Sequence, residues 1–246
     1  MQVEPILITG ASSDIGCALM RRLLSQPDPP LVLAHSYRAG DRLNVLQKEF
    51  PGRMRLFEAD FSQAASVTAM TDAISSEHNT PASIIHLPAL PLAYERFTKF
   101  NWERFETDLT IQVRSAVILL QRFLPKMAKL PYARVIFMLS SVVHGIPPKF
   151  MSMYATVKYA QLGLMRSVAA EYAATPVRVN AISPSMVETQ FLKDIADVAV
   201  QMSASANPQG RNATPEDLLG AIEFLLSASS AYIHGVVIPI AAGSVY

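Results

Sequence analysis

Short apolar runs alternate along the chain with longer stretches of helical periodicity, and this order restricts the fold more than any other feature. Strands that alternate with helices are joined in parallel through crossovers, which gives a sheet covered by helices on both faces. Ile6-Leu7-Ile8 is predicted as the first strand. It leads through a Gly/Ser turn into a helix around 15–24, broken by Pro27, Pro29 and Pro30. A second strand is predicted at 31–34, a helix at 41–50, a third strand at 53–58, a helix through Ile74 and a fourth strand at 83–87. A long helix over about 102–127 precedes the fifth strand at 134–139, and another over about 152–174 precedes the sixth at 177–182. Residues 188–212 are expected to form an irregular, mobile helical flap. Thr214 reads as a helix N-cap with Pro215 in the first position, and 236–240 as the last strand. No repeat, low-complexity tract or linker interrupts the 246 residues, so one α/β domain is expected.

Composition narrows the partners. The net charge is +1 with no basic or acidic block, which argues against nucleic acid and anionic membrane surfaces. The single cysteine, Cys17, excludes an intramolecular disulfide and a cysteine-built metal site. His35, His78, His86, His144 and His234 are scattered without metal-ligand spacing, so no metal site is expected. No apolar run approaches the ~20 residues of a membrane span. The first five residues lack the charged and apolar regions of a signal peptide, and a soluble cytoplasmic protein is the expectation.

The chemistry is concentrated around Tyr154 and Lys158, with Ser141 thirteen residues before the tyrosine. A Tyr and a Lys four apart on a helix project from one face. An ammonium that close is expected to lower the phenol pKa from about 10 toward neutrality, so that it exchanges protons at working pH. A serine hydroxyl beside it holds a substrate oxygen. With a hydride carrier, this set reduces a carbonyl or oxidises an alcohol.

A site for such a carrier is legible at the other end of the chain. Thr9-Gly10-Ala11-Ser12-Ser13-Asp14-Ile15-Gly16 joins the first strand to the first helix. Gly10 and Gly16 permit a tight turn and close backbone approach, and the helix N-terminus offers N–H groups to a pyrophosphate. Ser12 and Ser13 add hydroxyls. Asp14 stands where a three-glycine version has glycine, and its charge is unhelpful to a phosphate unless it caps the helix. His35-Ser36-Tyr37-Arg38, at the end of strand two, carries no acid to hold a ribose 2′-OH. Arg38 suits a 2′-phosphate instead, which favours NADP(H) over NAD(H). Asp60 after strand three is placed to hold the adenine amino group.

These segments together resemble the short-chain dehydrogenase/reductase family, over essentially the whole length. They are Thr9–Gly16, Ala59-Asp60-Phe61, Ser140-Ser141, Tyr154–Lys158, Arg178-Val179-Asn180-Ala181-Ile182-Ser183-Pro184, and Asn207-Pro208-Gln209-Gly210-Arg211 followed by Pro215-Glu216-Asp217. The resemblance implies a Rossmann-type, doubly wound parallel sheet in one domain, and a homotetramer or homodimer built partly from the two long helices. It implies Tyr154 as general acid or base, Lys158 on the nicotinamide ribose, and Ser141 on the substrate oxygen. Pro184, Val187 and Thr189 would lie along the cofactor, the last two at the carboxamide.

The departures from the family pattern lie near the cofactor. His86-Leu87-Pro88-Ala89 replaces the usual Asn-Asn-Ala-Gly and is similar to the extended, sugar-nucleotide branch of the superfamily. Counting back from Leu124-Pro125, the family's active-site Asn, which helps hold a relay water, falls at Gln112. Ser185 replaces a glycine after Pro184. The substrate pocket is expected between 142–153, 91–94 and the flap, lined by Met151, Met153, Met186, Phe191 and Leu192, with His144 as a polar candidate. The first functional expectation is an NADPH-dependent carbonyl reductase similar to 3-oxoacyl-[acyl-carrier-protein] reductases, acting on a small or acyl-carrier-bound carbonyl. The alternatives are an NAD(P)-dependent alcohol, sugar or steroid dehydrogenase, and a nucleotide-binding scaffold with residual activity.

Overall fold

The structure is a computed structural model that describes residues 5–38, 40–78 and 80–244. Seven strands form one parallel sheet: β1 (Ile6–Thr9), β2 (Val32–Ser36), β3 (Met54–Glu58), β4 (Ser83–His86), β5 (Ala133–Met138), β6 (Val177–Pro184) and β7 (Val237–Ile240). Their order is β3-β2-β1-β4-β5-β6-β7, so the winding direction reverses between β1 and β4. The crevice at the carboxyl ends of those two strands is where ligands bind in open α/β sheets.

Alternation along each strand divides the core into two layers. Leu7, Leu33, Ile84, Val135 and Phe137 face one side, against α3 (Ala64–His78), α5 (Ser115–Met127) and α6 (Ser152–Tyr172). Ile8, Ala34, Ile85, Ile136 and Ile182 face the other, against α1 (Asp14–Leu24), α2 (Asp41–Glu49) and α8 (Pro215–Leu226). Leu7, Ile8, Leu33 and Phe137 are wholly buried, and burying a side chain of this kind contributes about 1.5–3 kcal/mol. The central strands are apolar on both faces, as a sheet covered twice requires.

The expected long helix over 102–127 is not regular. α4 (Trp102–Leu109) passes through a π-helical turn, Thr110–Arg114, into α5. The wider turn places Gln112 in the protein interior. The expected flap contains a 3₁₀ turn at Gln190–Leu192 and α7 (Asp197–Ala206), and is tied down on both sides. Leu92 N–H donates to Phe191 O at 3.1 Å, and Val187 pairs with Ala213. α8 starts as expected at Thr214, whose N–H donates to Asp217 Oδ2 at 2.7 Å. Among the described residues, no helix is long and apolar enough to cross a membrane.

Candidate active site

One cleft of about 1160 Å³ runs along the carboxyl ends of the strands, from the β1–α1 turn to the flap. Gly10, Ser12, Ser13, Asp14, Ile15, Asp60, Phe61, Leu87, Pro88, Ala89, Ser141, Tyr154, Lys158, Pro184, Val187 and Thr189 line it, so the segments singled out in the sequence converge. Gly16, Ser36, Arg38 and Gln112 do not line it and act, where they act, from behind or beside it.

The nucleotide end is built by α1 and the turn before it. Gly10 has φ +70°, and a Cβ there would meet Pro88 N at 3.0 Å. A Cβ on Gly16 would meet Ala11 O at 2.5 Å, so α1 can pack this close to the turn only with glycine at 16. The helix is capped by Ser13, whose Oγ accepts from Gly16 N–H at 3.1 Å. Asp14 therefore does not cap it. Its carboxylate instead pairs with Arg42 Nη1 at 2.9 Å and accepts from Gln190 N–H at 2.8 Å. The charge that would oppose a phosphate is thus turned toward α2 and the flap. A backbone cradle open only to glycine, followed by the first turn of a helix, fits the pyrophosphate of a dinucleotide.

The far side of this end rests on two buried histidines. Gly10 N–H donates to His35 Nδ1 at 3.2 Å, while His35 Nε2 contacts Ala59 O at 3.0 Å. Phe61 stacks on the His35 ring, with centroids 3.7 Å apart. His86 Nδ1 contacts Thr9 Oγ1 at 2.9 Å, and its Nε2 contacts Gln112 O at 2.9 Å. Burial lowers both imidazoles, His35 to about 4 and His86 to about 3. Both are neutral near pH 7, with Nε2 donating and Nδ1 accepting. Arg38 is exposed, over the ring of Tyr37 at 5.0 Å, whereas Arg42 and Tyr37 line the cleft. Asp60 is turned inward to accept from Ser62 N–H at 2.9 Å and Ser62 Oγ–H at 2.7 Å.

At the other end, α6 carries Tyr154 and Lys158 on the expected single face, with Lys158 Nζ 5.7 Å from the Tyr154 ring centroid. The electrostatic consequence differs from the sequence expectation. The Tyr154 phenol is raised above its ordinary value, first by burial; Ser140 opposes the shift by hydrogen bonding, and Asp108 and Tyr94 reinforce it. Lys158 is lowered to about 8 by burial, against the attraction of Asp108. The lysine does not offset the effect of burial on the phenol. It donates to Met138 O at 2.8 Å and to Gln161 Oε1 at 3.0 Å.

Of the two serines, Ser140 is the one that favours the ionised phenol, and its Oγ accepts from Val142 N–H at 3.4 Å. Ser141 opens the following 3₁₀ turn and lines the same cleft. Gln112 is fully buried, with its amide on Asp108 Oδ1 at 2.6 Å and Oε1 unpartnered.

The substrate side is apolar. Met151, Met186, Phe191 and Leu192 line it as expected, joined by Leu90, Leu92 and Met202. Phe191 packs on the Tyr154 ring, with centroids 5.9 Å apart. Met153 does not line it and packs with Phe105 and Val157 in a separate small core. His144 is likewise absent from the lining, since its Nε2 bonds to Ser183 Oγ at 2.8 Å. Sequence reading missed Arg42, Ser140, Asp108 and Gln161. Ser140 had a signal, the serine pair 140–141; the others reach the site from helix positions that no short motif marks.

The chain is similar to known proteins over nearly its whole length. Residues 10–244 match the family model described as enoyl-(acyl carrier protein) reductase. The 3-oxoacyl-[acyl-carrier-protein] reductase MabA of Mycobacterium bovis is 25% identical over 97% of this chain and 91% of its own length. The cis-4-hydroxycyclohexanecarboxylate dehydrogenase of Sinomonas cyclohexanicum is 28% identical over 96% and 94%. A solved structure from Beutenbergia cavernae, taken to be an NAD(P)-dependent gluconate 5-dehydrogenase, has NADP bound at low occupancy. It superimposes with a TM-score of 0.87 at 25% identity, over 98% of this chain and 96% of its own. A match over nearly the whole chain, a glycine turn that suits a dinucleotide and a Tyr–Lys pair in the same cleft lead to one assignment: the chain belongs to the short-chain dehydrogenase/reductase family and is an oxidoreductase.

Proposed function

We propose that the protein is an NADP(H)-dependent reductase of an apolar carbonyl substrate, with a 3-oxoacyl thioester on a carrier as the first class to test. The observation that carries this reading is Tyr154, protonated and half-buried, at the junction between the nucleotide end of the cleft and its methionine-rich substrate end. Bound NADPH supplies a hydride to the carbonyl carbon. Gly10, Ser12, Ser13 and Ile15 would hold its pyrophosphate, and Leu87, Pro88, Ala89, Pro184, Val187 and Thr189 would flank the rest, because they line the cleft between the two ends. Arg38 and Arg42 would read the 2′-phosphate, and Asp60 the adenine edge.

Tyr154 donates its proton to the forming alkoxide. The phenol is protonated in the working range, as a general acid must be before it donates. Lys158 remains cationic below its value of about 8 and places positive charge beside the oxygen that takes the proton. Ser140 and Ser141 hold the substrate oxygen against Tyr154. Gln112 supports this end through its buried backbone and Asp108 contact. Leu90, Leu92, Met151, Met186, Phe191 and Met202 exclude water from an apolar chain. The dehydrogenase from Sinomonas cyclohexanicum supports a second reading, in which the same groups oxidise a cyclic alcohol and Tyr154 acts as base. We also infer a homodimer or homotetramer, supported by the exposed Phe97 and Trp102 beside α4.

The test is Tyr154→Phe. This variant should bind NADPH as the wild type does and lose turnover of a short 3-oxoacyl thioester by at least ~100-fold. Undiminished turnover would remove Tyr154 from the chemistry.

A further inference from the structure

Behind Lys158 lies a buried polar network that the reaction as described does not use. Gln161 is on α6, one turn after Lys158, and is wholly buried. Its Oε1 accepts from Lys158 Nζ at 3.0 Å. Its Nε2 donates to Gln112 O at 3.2 Å, the same carbonyl that His86 Nε2 contacts at 2.9 Å. The amide has only one workable orientation. Turned over, it would set N–H against the ammonium and oxygen against the Gln112 carbonyl, and both contacts would be repulsive. Gln112 in turn is held by the π-helical turn and by its own amide on Asp108.

We propose that Gln161 is a positioning residue for Lys158, holding the ammonium in its charged form and aiming its one remaining N–H into the cleft. The ammonium has three N–H bonds. Met138 O takes one and Gln161 Oε1 a second, which leaves the third for the cleft that Lys158 lines. A neutral amide is well suited to this place. It stabilises a desolvated cation by a charge-assisted hydrogen bond without neutralising it as a carboxylate would. The titratable groups that face Lys158, among the described residues, are Asp108 from α4, His86 from β4 and Tyr154 on its own helix. His86 is neutral at working pH and Tyr154 is protonated, so the groups that favour the charged lysine are Asp108, Met138 O and Gln161 Oε1.

The proposal rests on the reading of Lys158 and Tyr154 given above. It is tested by the pH profile of kcat with NADPH and a short 3-oxoacyl thioester, for the wild type, Gln161→Met, Gln161→Glu and Lys158→Met. Activity that needs the cation is present below the lysine pKa and lost as pH rises through it. Met keeps the volume and removes the acceptor, so the alkaline limb should move down by about one pH unit, with KM for NADPH changed less than kcat. Glu strengthens the acceptor, so the limb should move up. Limbs that stay at the wild-type position in both variants, or move the same way, would overturn the role of Gln161 while an inactive Lys158→Met keeps the site reading intact. Wild-type turnover in Lys158→Met would remove that reading, and the role of Gln161 with it. Should Gln161→Met fail to fold, the direction of the Glu limb alone decides.

Discussion

Arg42 Nη1 and Asp14 Oδ1 meet at 2.9 Å on the rim of the nucleotide end, close to the turn that carries Arg38. An ion pair this exposed is worth at most about 1 kcal/mol, so a phosphate can compete with Asp14 for the guanidinium. Arg38 lies over Tyr37 and makes no ion pair among the described residues. Both cations are therefore candidates for the 2′-phosphate. Arg38→Ala and Arg42→Ala should each raise the Kd for NADPH by about tenfold and leave NADH nearly unchanged, as expected for one charge-assisted contact. Equal losses for the two cofactors in a fluorescence titration would contradict that role. Tyr154, Lys158, Gly10 and Gly16 are legible in the sequence because a fixed local spacing dictates what each can do. Arg42 and Gln161 are not, because their partners, Asp14 and Gln112, lie far away in sequence and only packing brings them together. The phenol shift was legible in mechanism but not in sign. Burial is the largest influence on the phenol and outweighs the lysine.

At the scale of elements, β1 to β7 follow the expected order because each is a short apolar run that turn residues end. The break in the helix over 102–127 could not be read. Its apolar positions continue through the π turn, and the wider turn is required only by the burial of Gln112 and its carbonyl's two partners. The start of α4 is also unusual. Phe97 is 76% exposed and Trp102 61%, and both join Phe100 and Phe105 in a chain of tilted and edge-to-face rings. Exposed aromatics grouped in this way mark an association surface. The expected solution mass is two or four times 26.9 kDa, reduced by Trp102→Lys. A wild-type mass of one chain in light scattering would contradict it.

For the molecule as a whole, the reversal of winding between β1 and β4 explains why residues from nearly every segment share one cleft. β1 and α1 bring the glycine turn, β4 and β6 the segments beside it, α6 Tyr154 and Lys158, and the flap Phe191, which packs on the Tyr154 ring. One end is polar and shaped by glycine, the other apolar and shaped by methionine. This asymmetry is what a hydride transfer between a charged dinucleotide and an oily carbonyl requires. The most direct test is to titrate the purified protein with NADPH and NADH by nicotinamide fluorescence, and then to add a short 3-oxoacyl thioester to the NADPH complex. The expected result is tighter binding of NADPH than of NADH, with consumption of NADPH on addition of the thioester. Failure to bind either dinucleotide would contradict it.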